Sequence, residues 1–69
     1  MDRKPVQSSN LASVGYDPSS QTLEIEFRSG GVYQYFDVPP RVHDELMTAD
    51  SKGRFFARNI RGFYRYVRV

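Results

Sequence analysis

The residues between Lys52 and Arg68 interleave cations with rings: Lys52, Arg54, Arg58, Arg61, Arg65 and Arg68 alternate with Phe55, Phe56, Phe63, Tyr64 and Tyr66. Nucleic-acid binding asks for this combination, because cations meet phosphates while aromatic faces stack on bases. Arginine in place of lysine adds planar, bidentate phosphate contacts. From Lys52 to Val69 no acid opposes the positive charge. Upstream the balance inverts: Asp17, Glu24, Glu26, Asp37, Asp44, Glu45 and Asp50 face only Arg28 and Arg41 between Asp17 and Asp50. The modest net charge of +2 hides this polarity. A plainer account makes Phe56, Ile60 and half of the tail aromatics core, with the arginines as a solvated face. That explains most of the rings and leaves the absence of acids unexplained.

Other reactive types are isolated. His43 is the only histidine. It adjoins Asp44 and Glu45, but successive helical positions point in different directions, so the three do not make a metal site. A solvated surface histidine is the expectation. Serines cluster in turns and caps rather than beside a base and an orienter, as a catalytic triad requires. Ser51-Lys52 places neighbours side by side, where capping explains Ser51 better than a Ser–Lys pair. Gly30-Gly31 belongs to a hairpin and not to a strand-to-helix turn, so it does not cradle phosphate. The reading is therefore no enzyme, no catalytic residues, no metal and no cofactor.

A chain of 69 residues makes one domain with a thin core. It contains no cysteine, so no disulfide framework or thiolate metal site is available. The polar start, Met1 to Asn10, lacks the apolar run of a signal peptide, and no stretch is long enough to span a bilayer. No membrane partner and a cytoplasmic location are expected. Residues 1–8 read as a flexible lead-in and 9–69 as the domain.

The fold expected is α+β: an antiparallel three-stranded meander, two short helices and a closing C-terminal strand. Ala12, Val14 and Tyr16 alternate as a first strand, and Asp17-Pro18-Ser19-Ser20 is turn chemistry. Thr22 to Arg28 alternates cleanly, with Leu23, Ile25 and Phe27 inward and Thr22, Glu24, Glu26 and Arg28 outward. Ser29-Gly30-Gly31 closes a hairpin into Val32 to Asp37. A four-residue loop at Pro18 to Gln21 sets Tyr16 opposite Leu23 and Val14 opposite Ile25. A three-residue loop at Ser29 to Gly31 sets Phe27 opposite Tyr33, Ile25 opposite Tyr35 and Glu26 opposite Gln34. Both choices gather the apolar sets on one face. Tyr33 and Tyr35 then pack their rings with hydroxyls reaching outward. Pro40 opens a helix carrying Val42 and Leu46, Asp50 or Ser51 caps a second with Phe56 and Ile60, and Gly62 stops it. Phe63 to Val69 is aromatic and β-branched, favouring a strand. The tail arginines also follow a helical rhythm, but Gly62 and Phe63-Tyr64-Arg65-Tyr66-Val67 oppose one continuous helix.

Three strings, Ser8-Ser9-Asn10-Leu11-Ala12-Ser13-Val14-Gly15-Tyr16-Asp17, Leu23-Glu24-Ile25-Glu26-Phe27-Arg28-Ser29-Gly30-Gly31-Val32-Tyr33-Gln34-Tyr35, and Ser51-Lys52-Gly53 through Ile60-Arg61-Gly62, together resemble the KTSC domain family. That family takes its name from the C-terminal domain of some lysyl-tRNA synthetases and occurs also as stand-alone bacterial proteins. Its Tyr-x-Tyr hallmark is matched by Tyr33-Gln34-Tyr35, and the resemblance runs from about Val6 onward. It implies the stand-alone form, without a synthetase body and without tRNA charging.

Two functions of different class follow. One is an RNA-binding module, for tRNA or another structured or single-stranded RNA. Lys52, Arg54, Arg58, Arg61 and Arg65 would meet phosphates and Tyr33, Tyr35, Tyr64 or Tyr66 would stack. The other is a protein-interaction or self-association module, joining the basic tail to the acidic Asp37 to Asp50 region of a neighbour. A single basic surface requires that Arg54, Arg58, Arg61 and Arg65 point to one side.

Overall fold

The computed structural model describes residues 1–69. Strands β1 (Arg3–Pro5), β2 (Leu11–Asp17), β3 (Thr22–Phe27) and β4 (Val32–Tyr35) precede helices α1 (Pro40–Thr48) and α2 (Lys52–Asn59), and β5 (Tyr66–Arg68) ends the chain. The fold is α+β with an antiparallel five-stranded sheet in the order β1-β2-β3-β4-β5. The meander is thus longer than the three strands expected. The segment expected to be a flexible lead-in supplies β1, which pairs Arg3 with Gly15 and Pro5 with Ser13. The closing strand is present but short, because the turn through Gly62, at φ 81°, runs on into Phe63 and a bend follows at Tyr64, leaving only Tyr66–Arg68 of the expected run in the sheet.

The β2–β3 register is the one expected, with Tyr16 opposite Leu23 and Val14 opposite Ile25. Asp17 holds that loop by accepting from the Ser19 amide at 3.1 Å and from the Ser20 hydroxyl at 2.9 Å. The β3–β4 register differs: Ile25 faces Tyr33, Leu23 faces Tyr35 and Glu24 faces Gln34. The loop has three residues but begins at Arg28, since the Gly30 amide donates to Phe27 O and the Phe27 amide to Gly31 O. Gly30, at φ 109°, closes a tight turn with a bulge, one position earlier than expected. That displacement shifts the pairing by two residues, which preserves the faces.

Both helices cover one face of the sheet. Leu11, Val14, Leu23, Ile25, Tyr35, Val38, Val42, Leu46, Phe56 and Ile60 form the core between them. Leu11 enters it because a bulge between Leu11 and Ser13 resets the alternation, and Ala12 is displaced from the inner set. Pro40 begins α1 where its missing amide costs nothing. The Ser51 hydroxyl caps α2 by accepting from the Arg54 amide at 3.2 Å.

The opposite face is not freely solvated. Glu24 is buried there, paired with Arg3 and accepting from Gln34 Nε2 at 2.8 Å. Arg3 Nε also donates to the Ser13 hydroxyl at 3.0 Å, which donates in turn to Glu26 at 2.9 Å. The Gln34 hydrogen bond, with Arg3 beside it, holds the Glu24 carboxyl below its ordinary pKa against the opposing effect of burial. Expecting Glu24 to point outward was correct for its face and wrong for its exposure, because β1 brings Arg3 across it.

Candidate functional site

The β4–β5 register places Tyr33 opposite Arg68 and Tyr35 opposite Tyr66. Side chains alternate along a strand, so these four share the face on which the helices pack. Beyond the end of α2 that face is uncovered. It leaves a cleft of about 350 Å³ lined by Phe27, Tyr33, Tyr35, Phe56, Arg61 and Tyr66 and bordered by Ser29, Gly30 and Gly62.

The walls are rings set at angles. Phe27 meets Tyr33 edge-on at 5.5 Å and Phe56 edge-on at 5.3 Å, and Tyr35 meets Phe56 edge-on at 5.4 Å. Tyr66 leans on Tyr33 at 6.0 Å and on Tyr35 at 5.6 Å while remaining 57% exposed. It is the ring most available to a ligand. Cations flank the rings: Arg61 lies 5.8 Å from the Phe56 centroid and Arg68 5.8 Å from the Tyr33 centroid. The cleft continues past Phe27 and Phe56 into a hollow of about 440 Å³ that adds Arg28, Asn10 and Gly53.

Tyr35 is only 6% exposed as a residue, but its hydroxyl makes no hydrogen bond within the chain and reaches solvent, since no buried side-chain oxygen or nitrogen is left without a partner. Burial raises its pKa first, and the neighbouring Tyr66 and Tyr33 add to this while Arg61 opposes it. The phenol is therefore a neutral donor and acceptor at neutral pH.

The residues expected to bind RNA do not form one surface. Tyr33, Tyr35, Tyr66 and Arg61 come together in the cleft. Arg54 and Arg58 share a separate groove with Phe55 and Asn59. Helical spacing turns both away from buried Phe56. Lys52 Nζ donates to Ala49 O at 3.3 Å, at the junction of the helices. Arg65 lies over Phe36 at 5.1 Å and 4.0 Å from the Asp37 carboxylate. Since the Phe36 amide donates to Arg65 O, register continues and alternation turns both side chains to the face opposite the cleft. Tyr64 packs half-buried against the core and is not in the cleft. Sequence reasoning did not assign Phe27 or Phe56 to the cleft, Arg28 to the adjoining hollow or Arg68 to the side of the Tyr33 ring. The β4–β5 pairing is the signal that identifies Arg68.

His43 also departs from expectation. Its ring stacks parallel on Tyr16 at 4.6 Å and is half-buried, so it is not simply solvated. Burial lowers its pKa, Asp44 pulls it back up and Lys4 adds to the lowering. Tyr16 donates its hydroxyl proton to Val38 O, tying β2 to the segment before α1. No cluster of three or more histidines, cysteines or carboxylates is placed to hold a metal. No helix is long and apolar enough to cross a membrane.

A family model described as the KTSC domain matches residues 7–68. An uncharacterised protein of Stutzerimonas stutzeri is 50% identical over 70 residues, covering 100% of this chain and 99% of its own. A lysine–tRNA ligase of a Nostoc species is 43% identical over 63 residues, which are 91% of this chain and 11% of the ligase. The crystal structure of a KTSC domain protein from Yersinia pestis superposes with a TM-score of 0.97 at 48% identity, covering 99% of this chain and 96% of that one.

Proposed function

The chain belongs to the KTSC domain family, and from that premise we propose that it is a small, non-catalytic RNA-binding module whose contact surface is the cleft between α2, the β3–β4 turn and β5. The observation that carries this reading is the set of rings, Tyr33, Tyr35 and Tyr66, flanked at close range by Arg61 and Arg68. Similarity to a segment of lysine–tRNA ligases supports the same ligand class. The separation of Arg54, Arg58 and Arg65 from the cleft narrows the phosphate contacts to Arg28, Arg61 and Arg68.

Three such contacts on a single strand give a slope of about −2 in log affinity against log salt. Titration of labelled RNA at several salt concentrations checks this. A flat response, or no binding at low salt, overturns the reading.

A second reading has an observation of its own. Phe63, Val67 and Val69 are exposed around β5, whose outer edge pairs with nothing. An open apolar edge favours strand addition by a protein partner or a second copy. Sedimentation that shows concentration-dependent mass, unaffected by oligonucleotide, is the result that selects it.

A further inference from the structure

We infer that the cleft is a pocket for one unpaired nucleobase, with the Tyr35 hydroxyl hydrogen-bonding the edge of that base. The inference rests on the RNA-binding reading and specifies which form of RNA the site takes.

Size and shape carry the first part. A base inside a duplex is covered on both ring faces by its neighbours, and a concave site of about 350 Å³ cannot reach it there. Sequence-specific RNA recognition accordingly targets unstacked bases that can be laid on aromatic or guanidinium planes. Tyr66 offers such a plane, being exposed while its neighbours are held edge-on in the wall.

The distribution of charge points the same way. Duplex recognition needs cations spread along successive grooves. Here Arg54 and Arg58 occupy another groove, and Arg65 lies beside Phe36 on the opposite face of the sheet. What remains at the cleft, Arg61 on the Phe56 side and Arg68 on the Tyr33 side, suits the phosphates on either side of a single inserted nucleotide.

The Tyr35 hydroxyl carries the second part. It belongs to a residue more than nine-tenths buried, it lines the cleft, and it has no partner in the protein. A ligand that fills the cleft removes water from that hydroxyl and must replace the lost hydrogen bond or bind more weakly. A nucleobase edge supplies both donors and acceptors. An apolar side chain filling the same cleft supplies neither.

The test compares three RNAs at low salt by fluorescence anisotropy: a short mixed-sequence single strand, the same strand paired to its complement in a blunt duplex, and the same strand with abasic positions. Proteins are the wild type, Tyr35→Phe, Tyr66→Ala and, as a control on the separate groove, Arg54→Ala. The single strand is expected to bind best, and the abasic strand, which keeps every phosphate, to bind markedly less. Loss of one neutral hydrogen bond makes Tyr35→Phe about fivefold weaker. Loss of one stack makes Tyr66→Ala about tenfold weaker, and Arg54→Ala stays within twofold of wild type. Thermal melts verify that Tyr35→Phe is folded, as removal of a hydroxyl with no partner in the chain should allow. Duplex or abasic strand binding as tightly as the intact single strand, or an unchanged Tyr35→Phe, overturns the base pocket and leaves RNA binding standing. Failure to bind any of the three overturns the RNA reading itself.

Discussion

At the scale of single residues, three titratable groups make the fold sensitive to acid: Glu24, His43 and, through the bonds it accepts from Ser19 and Ser20, Asp17, whose pKa is lowered. Glu24 has its pKa lowered by Gln34 and Arg3, so it stabilises the folded state above the unfolded carboxylate value, and this contribution is lost as pH falls through its folded value. His43 is lowered by burial against Tyr16. Its neutral form is the one that folding favours, so stability rises as pH climbs through about 6.5, the ordinary histidine value. Denaturant unfolding across pH should show a first decline below neutrality and a second below about pH 4. His43→Phe, which keeps the stack, is expected to remove the first decline only. Glu24→Gln is expected to shrink the second, leaving the part due to Asp17, at a cost in stability above that decline because Arg3 loses its charged partner. Tyr16 sets a further limit: its hydroxyl bond to Val38 O means that Tyr16→Phe leaves a carbonyl short of its donor. Loss of that bond should cost about 1 kcal/mol in the same assay.

At the scale of elements, β1 depends on Gly15. A Cβ there would stand 2.7 Å from Asp2 O, closer than side chains approach backbone. Gly15→Ala should detach β1, exposing Glu24, and faster amide exchange confined to β1 and its β2 partners is the expected signature. Ser51→Ala, removing the cap of α2, should cost about 1 kcal/mol. Leu46→Ala, at a fully buried position where α1 meets the core, should cost about 2–5 kcal/mol. Much of this was legible beforehand. Alternation in Leu23-Glu24-Ile25-Glu26-Phe27, proline at the start of α1 and Ser51 as cap are local signals, and each matches what the chain adopts, whereas α2 ends at Asn59 with Ile60 as its C-cap and Gly62 belongs to the turn that follows. What escaped was non-local. Arg3-Lys4-Pro5 carries no strand signature of its own and becomes one only by pairing with β2. The bulge that brings in Leu11 and the turn that begins at Arg28 are single-residue offsets, which periodicity does not resolve. The tail arginines were legible as a group by composition, but their division among three faces depends on where α2 stops and how β5 registers.

For the whole molecule, the polarity along the chain does not become a simple polarity in space. Arg65 comes back beside Asp37 at the surface, and Glu24 of the acidic stretch is paired with Arg3 from the N-terminal strand, so the contrast between basic and acidic segments is partly offset within the chain. The remaining positive charge edges the aromatic cleft and the outer side of α2. Strand order equals chain order, so the first and last strands form the two outer margins of the sheet, each only three residues long. Inter-strand hydrogen bonds run across the strands, in line with a pull between those margins. Tension applied between the two termini therefore loads each ladder one bond at a time instead of shearing many together. The domain should yield like a zipper, at forces well below those of sheets whose terminal strands lie side by side. Single-molecule stretching of tandem copies is expected to show β1 and β5 peeling away first. As a link between larger bodies, such a fold would act as an extensible element that gives way early and can reclose.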